Sequence, residues 1–227
     1  MLYAFIVFSI FAIISAFSAA HDETFVRGVL GDGYVEMTED NIAKGDPFGV
    51  YKSGDQFSMF MQIISNNIQV SFMTFVAGIL LSVGTIWMLF RNGVMVGAFQ
   101  YYFFAKGLGW KSVLVIWLHG TLEISSMIIA GAAGIVLGNS LLFPGTHRRI
   151  DSLKRGAKDG LKCMIGLVPI IAIAAFIEGF ITRYANMPIW LSVSILLASG
   201  IFIIWYFIYY PIRLEKRGIQ NSLPENR

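Results

Sequence analysis

An all-α integral membrane bundle of about six transmembrane helices is the fold class this sequence predicts, on three observations. Hydrophobic residues make up 56% of the 227 and charged residues only 14%, with a mean hydropathy of +0.67. Soluble domains average about 45–50% apolar and 25% charged. The apolar residues also fall in runs near the ~20 residues that a helix needs to cross about 30 Å of hydrocarbon. Most of the lysine and arginine sits in two places, residues 148–162 and the C-terminal tail. The net charge is only +3 and Cys163 is the single cysteine, which excludes an internal disulfide framework. No nucleic-acid motif accompanies the basic clusters, so the partner expected beside them is the lipid bilayer.

The first run, residues 2–20, contains no charge. Small residues at 16–20 would suit signal cleavage, but only Met1 precedes the run. A secretory signal has a basic n-region, so a retained transmembrane helix is expected over 1–20. Residues 21–68 carry eight acids against three bases and read as an extracytoplasmic acidic segment. Phe57, Phe60, Met61, Ile64 and Ile68 recur there at near-helical spacing, predicting an interfacial helix that leads into the next span. A five-helix membrane core is then expected over 69–212. Its spans are 70–90, ending at Arg91-Asn92, then 93–110 with Lys106 inside it, and 113–138 with His119 and Glu123. The last two are 163–182 with Pro169 and Glu178, and 188–210, which closes on Trp205, Tyr206, Tyr209 and Tyr210 at headgroup level. Residues 139–162 form a basic cytoplasmic loop and 213–227 a cytoplasmic tail.

Orientation follows from lysine and arginine in the loops. Six spans with both termini cytoplasmic place eleven inside and six outside. A five-span rival, in which 93–110 does not cross, places thirteen inside and four outside. Both keep the 139–162 loop inside; six spans are preferred because 93–110 is long enough to cross.

Small residues supply the packing signal. Gly93 and Gly97 form one GxxxG, Gly134 and Gly138 another, and the run around Gly131 is nearly free of side chains. Lipid offers little hydrophobic drive between helices, so close backbone approach holds a bundle together. These positions are read as contacts between spans, with a homo-oligomer face as the other use. The basic loop reads as an amphipathic surface helix, with Ile150, Leu153, Ala157 and Leu161 on one face. Arg148, Arg149, Lys154, Arg155 and Lys158 would then meet anionic headgroups, at about 1 kcal/mol per cation.

The ionisable residues are the sharper signal. His119 and Glu123 are four apart and share one helical face, and Glu178 is the acid within the fifth span. A carboxylate in lipid costs about 3 kcal/mol on insertion scales, so such residues face a partner or a wet cavity. An intramembrane polar cluster of His119, Glu123 and Glu178 is expected. It could act as an interhelical clamp, as a proton or ion relay, or as a metal site. The metal reading is set aside because one histidine with two carboxylates is sparse and HExxH is absent. No serine nucleophile, Walker loop, Rossmann glycine set or paired-cysteine motif occurs. No cofactor, metal or catalytic residue is therefore expected.

Several motifs occur in order between residues 60 and 185: Asn66-Asn67, Arg91-Asn92-Gly93-Val94-Met95-Val96-Gly97, and Leu118-His119-Gly120-Thr121-Leu122-Glu123. Ala130-Gly131-Ala132-Ala133-Gly134, Phe143-Pro144-Gly145 and Ile177-Glu178-Gly179-Phe180-Ile181 follow. Together they resemble the stage II sporulation protein M family. The resemblance implies a multi-pass protein of the bacterial cytoplasmic membrane. In endospore formers the family's namesake assembles with cell-wall-cutting partners and drives membrane migration during engulfment. Members usually carry a helical cytoplasmic region ahead of the first span, where this chain opens directly on the span, which favours a retained first helix. The expected function is a non-enzymatic scaffold that positions other membrane or cell-envelope proteins. The alternative is a small-solute or proton-coupled transporter using His119, Glu123 and Glu178.

Overall fold

The computed structural model describes residues 1–52, 54–183 and 187–215. Their regular secondary structure is entirely helical. α1 (Leu2–His21) runs straight into a cap of two short helices, α2 (Glu23–Leu30) and α3 (Asp32–Ala43). Asp22 begins α2 by accepting from the Thr24 backbone N–H at 2.8 Å. Gly31, at φ 85, supplies the left-handed corner before α3. α4 (Gln56–Val76) is capped in the same way, by Asp55 on the Ser58 N–H at 2.9 Å. α5 (Val83–Ala105), α6 (Gly109–Leu142), α7 (Arg149–Phe176) and α8 (Ile189–Ile204) follow. α7 and α8 each continue into a wider π turn, Ile177–Ile181 and Trp205–Tyr209.

Neighbour contacts fix the directions of the long helices. Gly93 and Gly97 of α5 lie against Phe8 and Ala12 of α1, in the same order, so α1 and α5 are parallel. Gly134 of α6 meets Thr85 of α5, while Trp117 meets Gln100, which makes that pair antiparallel. Gly160 and Gly179 lie against Phe75 and Phe60, so α7 opposes α4. α8 ends with Phe207 and Ile212 beside Leu2 and Phe5. α1, α4, α5, α6, α7 and α8 thus alternate through one bundle. Four helical segments are long and apolar enough to cross a membrane: Leu2–His21, Gly109–Leu142, Arg149–Ile181 and Ile189–Glu215. α4 and α5 are not among them; α4 carries Gln62, Ser65, Asn66, Asn67 and Gln69, and α5 carries Arg91, Asn92 and Gln100.

The structure corrects two expected boundaries and one expected surface helix. The chain does not break at Arg91-Asn92, which lie inside α5. It turns at residues 77–82, with Leu81 and Ser82 at φ 54 and 67. The Ser82 hydroxyl donates to the Ile135 carbonyl at 3.2 Å, and Gly78 presses on the Gly134 backbone. Tertiary contacts therefore hold this turn. Arg91 is exposed, and its long side chain can reach headgroups from within the helix. The predicted interfacial helix over 57–68 is likewise the first half of α4, whose residues 60–75 run beside 160–179 of α7 and its π turn. The basic segment does not lie flat as a separate amphipathic helix. Gly156 and Gly160 bring it against Ser140 and Phe75, and it continues as the first half of α7. Twenty-eight residues reach about 42 Å at helical rise, so this half projects beyond the hydrocarbon. Arg148, Arg149, Lys154, Arg155 and Lys158 are all exposed on it. Of the predicted tail, residues 216–227 lie outside the described residues.

The acidic segment is a packed cap. Val26, Val35 and Phe48 bury against Ala19, Tyr102, Phe103 and Val115. Arg27 pairs with Asp32 at 3.3 Å and Glu39 at 3.4 Å, and Lys106 reaches Glu39 at 2.7 Å. That hydrogen bond holds the Glu39 carboxyl below its ordinary range.

Candidate intramembrane site

Glycine sets the depth and rotation of α6, which carries most of the site. A Cβ on Gly138 would stand 2.1 Å from Ser82 Oγ, and one on Gly134 would stand 2.4 Å from Thr85 Oγ1 and 2.8 Å from the Thr74 carbonyl. Gly131 faces Leu89 at 2.8 Å. These approaches fix α6 against the 77–82 turn and α5. On α5, Gly93 and Gly97 face α1, where a Cβ on Gly97 would stand 2.1 Å from the Ala12 carbonyl oxygen. The Ser15 hydroxyl donates to the Val94 carbonyl at 2.6 Å across the same contact.

With α6 so held, His119 and Glu123 turn one face toward α4 and the end of α7. There α7 gives way to the π turn, in which the Thr182 N–H donates to the Ile177 carbonyl at 2.8 Å. Wider turns of this kind are frequent at functional sites. This one carries Glu178 to α6 and buries Gly179 beside Phe60. One ligand-type atom from each of His119, Glu123 and Glu178 lies within 4.8 Å of the other two. His119 Nε2 is 3.9 Å from Glu178 Oε1, and His119 Nδ1 is 3.1 Å from Thr182 Oγ1. Asn67 of α4 donates its side-chain N–H to Glu123 Oε1.

Two adjoining cavities share Met95, Val96, Glu123 and Ile124. The smaller, about 140 Å³, is bordered by Asn66, Asn67 and Asn92. The larger, about 260 Å³, is bordered by His119, Glu123, Glu178 and Gln100. Trp117 Nε1 donates to Gln100 Oε1 at 2.7 Å, and Gln100 Nε2 donates to Ser112 Oγ at 3.0 Å, closing one side with satisfied polar groups. A third, more apolar cleft of about 870 Å³ opens between α1 and α8 and reaches Gln100 and Trp117.

The segments that meet here are those whose order was distinctive in the sequence. A family model described as stage II sporulation protein M matches residues 4–183. The chain belongs to that family. An uncharacterized protein of Methanocaldococcus jannaschii is similar, at 30% identity over 152 residues, covering 66% of this chain and 85% of that protein. No solved structure matches.

Within this stage II sporulation protein M family member, the three predicted ionisable residues come together, while the five basic residues remain at the far end of α7. The glycines lie on helix contacts. Sequence reasoning gave no site role to Asn67, Asn92, Gln100 or Thr182. A signal existed for Asn67 and Asn92: both are amides inside apolar stretches and both belong to the quoted motifs. Thr182 had none, because its role depends on a turn one residue wider than the regular helix.

Proposed function

We propose that this protein is a non-enzymatic membrane scaffold that positions envelope or cell-wall-remodelling partners in a cytoplasmic membrane, with six spans and both termini on the cytoplasmic side. The observation that carries it is the outer face of α4. Gln62, Ser65 and Gln69 follow one another at helical spacing and are all exposed, beside Asn66 at the edge of the smaller cavity and at the depth where α7 is most apolar. Lipid cannot satisfy an amide ladder of this kind, whereas a neighbouring helix with hydrogen-bonding side chains can. α4 is therefore the docking face for another membrane helix. The family's role in assembling wall-cutting partners, and the exposed basic end of α7 under the positive-inside rule, support the same reading. Neither the family's description nor the relative's name points to a transporter.

A photo-crosslinking amino acid at Gln62 or Gln69 in native membranes tests it. Discrete protein adducts are expected at both, and only lipid adducts at Val193 on α8. Mass spectrometry then separates an envelope partner from a second copy of the chain. Lipid adducts alone at 62 and 69 would remove the basis of the scaffold.

A further inference from the structure

We propose that His119, Glu123 and Glu178 bind one divalent transition-metal ion of the zinc class within the membrane. The Thr182 hydroxyl lies between the Ile177 carbonyl at 3.2 Å and His119 Nδ1 at 3.1 Å. When its one proton goes to the carbonyl, the same oxygen accepts from His119, and Nδ1 carries the imidazole proton. That tautomer turns the Nε2 lone pair toward Glu178 Oε1 at 3.9 Å.

Two atoms each bonded at about 2.0–2.2 Å to one ion lie no more than about 4.4 Å apart. The 3.9 Å pair is already inside that limit. The full set, spread over no more than 4.8 Å, closes to the ~3.4 Å separations of a tetrahedral site by about an ångström of side-chain movement. The outer contacts are those of a metal site: a ligating histidine gives its second N–H to a fixed acceptor, here Thr182, and a ligating carboxylate is itself hydrogen-bonded, here by Asn67.

Charge points the same way. Among the described residues, no lysine or arginine pairs with Glu123 or Glu178. One dication on two carboxylates and a neutral imidazole gives zero net charge, the least costly state for such groups in hydrocarbon. One nitrogen with carboxylate oxygens suits zinc, cobalt, iron or manganese, whereas magnesium and calcium prefer oxygen alone. Three protein ligands leave a fourth position toward the 260 Å³ cavity, where water completes the shell. The ion would join α6 to the end of α7, with Asn67 of α4 in its outer shell.

The test uses the full chain in detergent, stripped with chelator and then dialysed against Zn²⁺ or Co²⁺ alone. Elemental analysis is expected to find one ion per chain, and Co²⁺ to give a visible ligand-field spectrum. Glu178→Gln and His119→Gln should lose at least nine-tenths of the bound ion, with far-UV circular dichroism unchanged. Thr182→Val should weaken affinity by about 10–100-fold, the usual effect of removing an outer-shell partner. A His21→Gln, His147→Gln double variant should retain the ion. No ion in the wild-type chain overturns the proposal whatever the variants do, as does binding that survives Glu178→Gln and His119→Gln or disappears with His21 and His147. The scaffold reading stands or falls separately, on adducts at α4.

Discussion

The two sides of α6 are held by different physics. Toward α5 and the 77–82 turn, α6 offers bare backbone at Gly131, Gly134 and Gly138, pressed on Leu89, on Thr85 and the Thr74 carbonyl, and on Ser82, and α6 is 61% buried over its most apolar stretch. Toward α8 the contact is made by side chains such as Ile203, and α8 is only 17% buried by the same measure. In lipid, apolar side chains gain little by leaving hydrocarbon for protein, so a seam that glycine lets close tightly is the stronger join. α8 consequently behaves as a rim helix, and α6 as the axis on which the polar site is hung.

Breaking the seam should have the largest effect. Gly134→Leu must displace the Thr74 and Phe75 carbonyls, and overpacking of this sort costs about 1–3 kcal/mol or more. A marked fall in thermal stability in detergent is expected, while Val193→Leu on α8 should be close to neutral. Equal melting of the two would mean that the seam is not the stronger join. Next comes Gly97→Leu, which pushes on the Ala12 carbonyl. It should loosen α1 alone, read as faster proteolysis or labelling near its ends with the α6–α7 pairing retained.

A smaller change of opposite sign sharpens the comparison. Gly166 has nothing within 4 Å of a would-be Cβ. Gly166→Ala should therefore stabilise by up to about 1 kcal/mol, the ordinary gain in helix propensity; a loss would reveal a neighbour in the membrane.

The smallest effect lies in the cap. Lys106 lowers the Glu39 carboxyl, so the pair stabilises the fold above the ordinary carboxylate range. That contribution disappears as pH falls through the lowered value. Both groups are solvated, and exposed pairs are worth about 1 kcal/mol or less. Lys106→Ala should thus melt slightly earlier than wild type near neutral pH, and the gap should narrow as the pH falls below the ordinary carboxylate range. A gap that widened in acid would give the pair the wrong sign.

The sequence made parts of this arrangement legible and hid others for identifiable reasons. The shared face of His119 and Glu123 follows from spacing alone, and the cost of a carboxylate in lipid required that face to meet something polar. That Glu178 meets it depends on two helices and a widened turn. The break at 77–82 was hidden because Leu81 and Ser82, both unusual left-handed residues, take that backbone through contacts with α6. Arg91 misled because charge was read as an end of hydrocarbon, whereas an exposed arginine can sit within a helix and reach outward. The basic run before Cys163 marked where α7 turns from apolar to charged, and the helix itself continues through that point.

The parallel pairing of α1 with α5 carries a consequence for biosynthesis. Ser15 and Val94 are 79 residues apart, and at about 5–20 residues per second the ribosome needs roughly 4–16 s to make that interval. For those seconds α1 has no α5 to lie against. Its hydropathy of 2.3 over the spanning window lets it wait as a lone helix among lipids. Its own interface residues, Ala4, Phe8, Ala12 and Ser15, ask little of the bilayer meanwhile. Only when Gly93 and Gly97 emerge can α1 find the place it keeps.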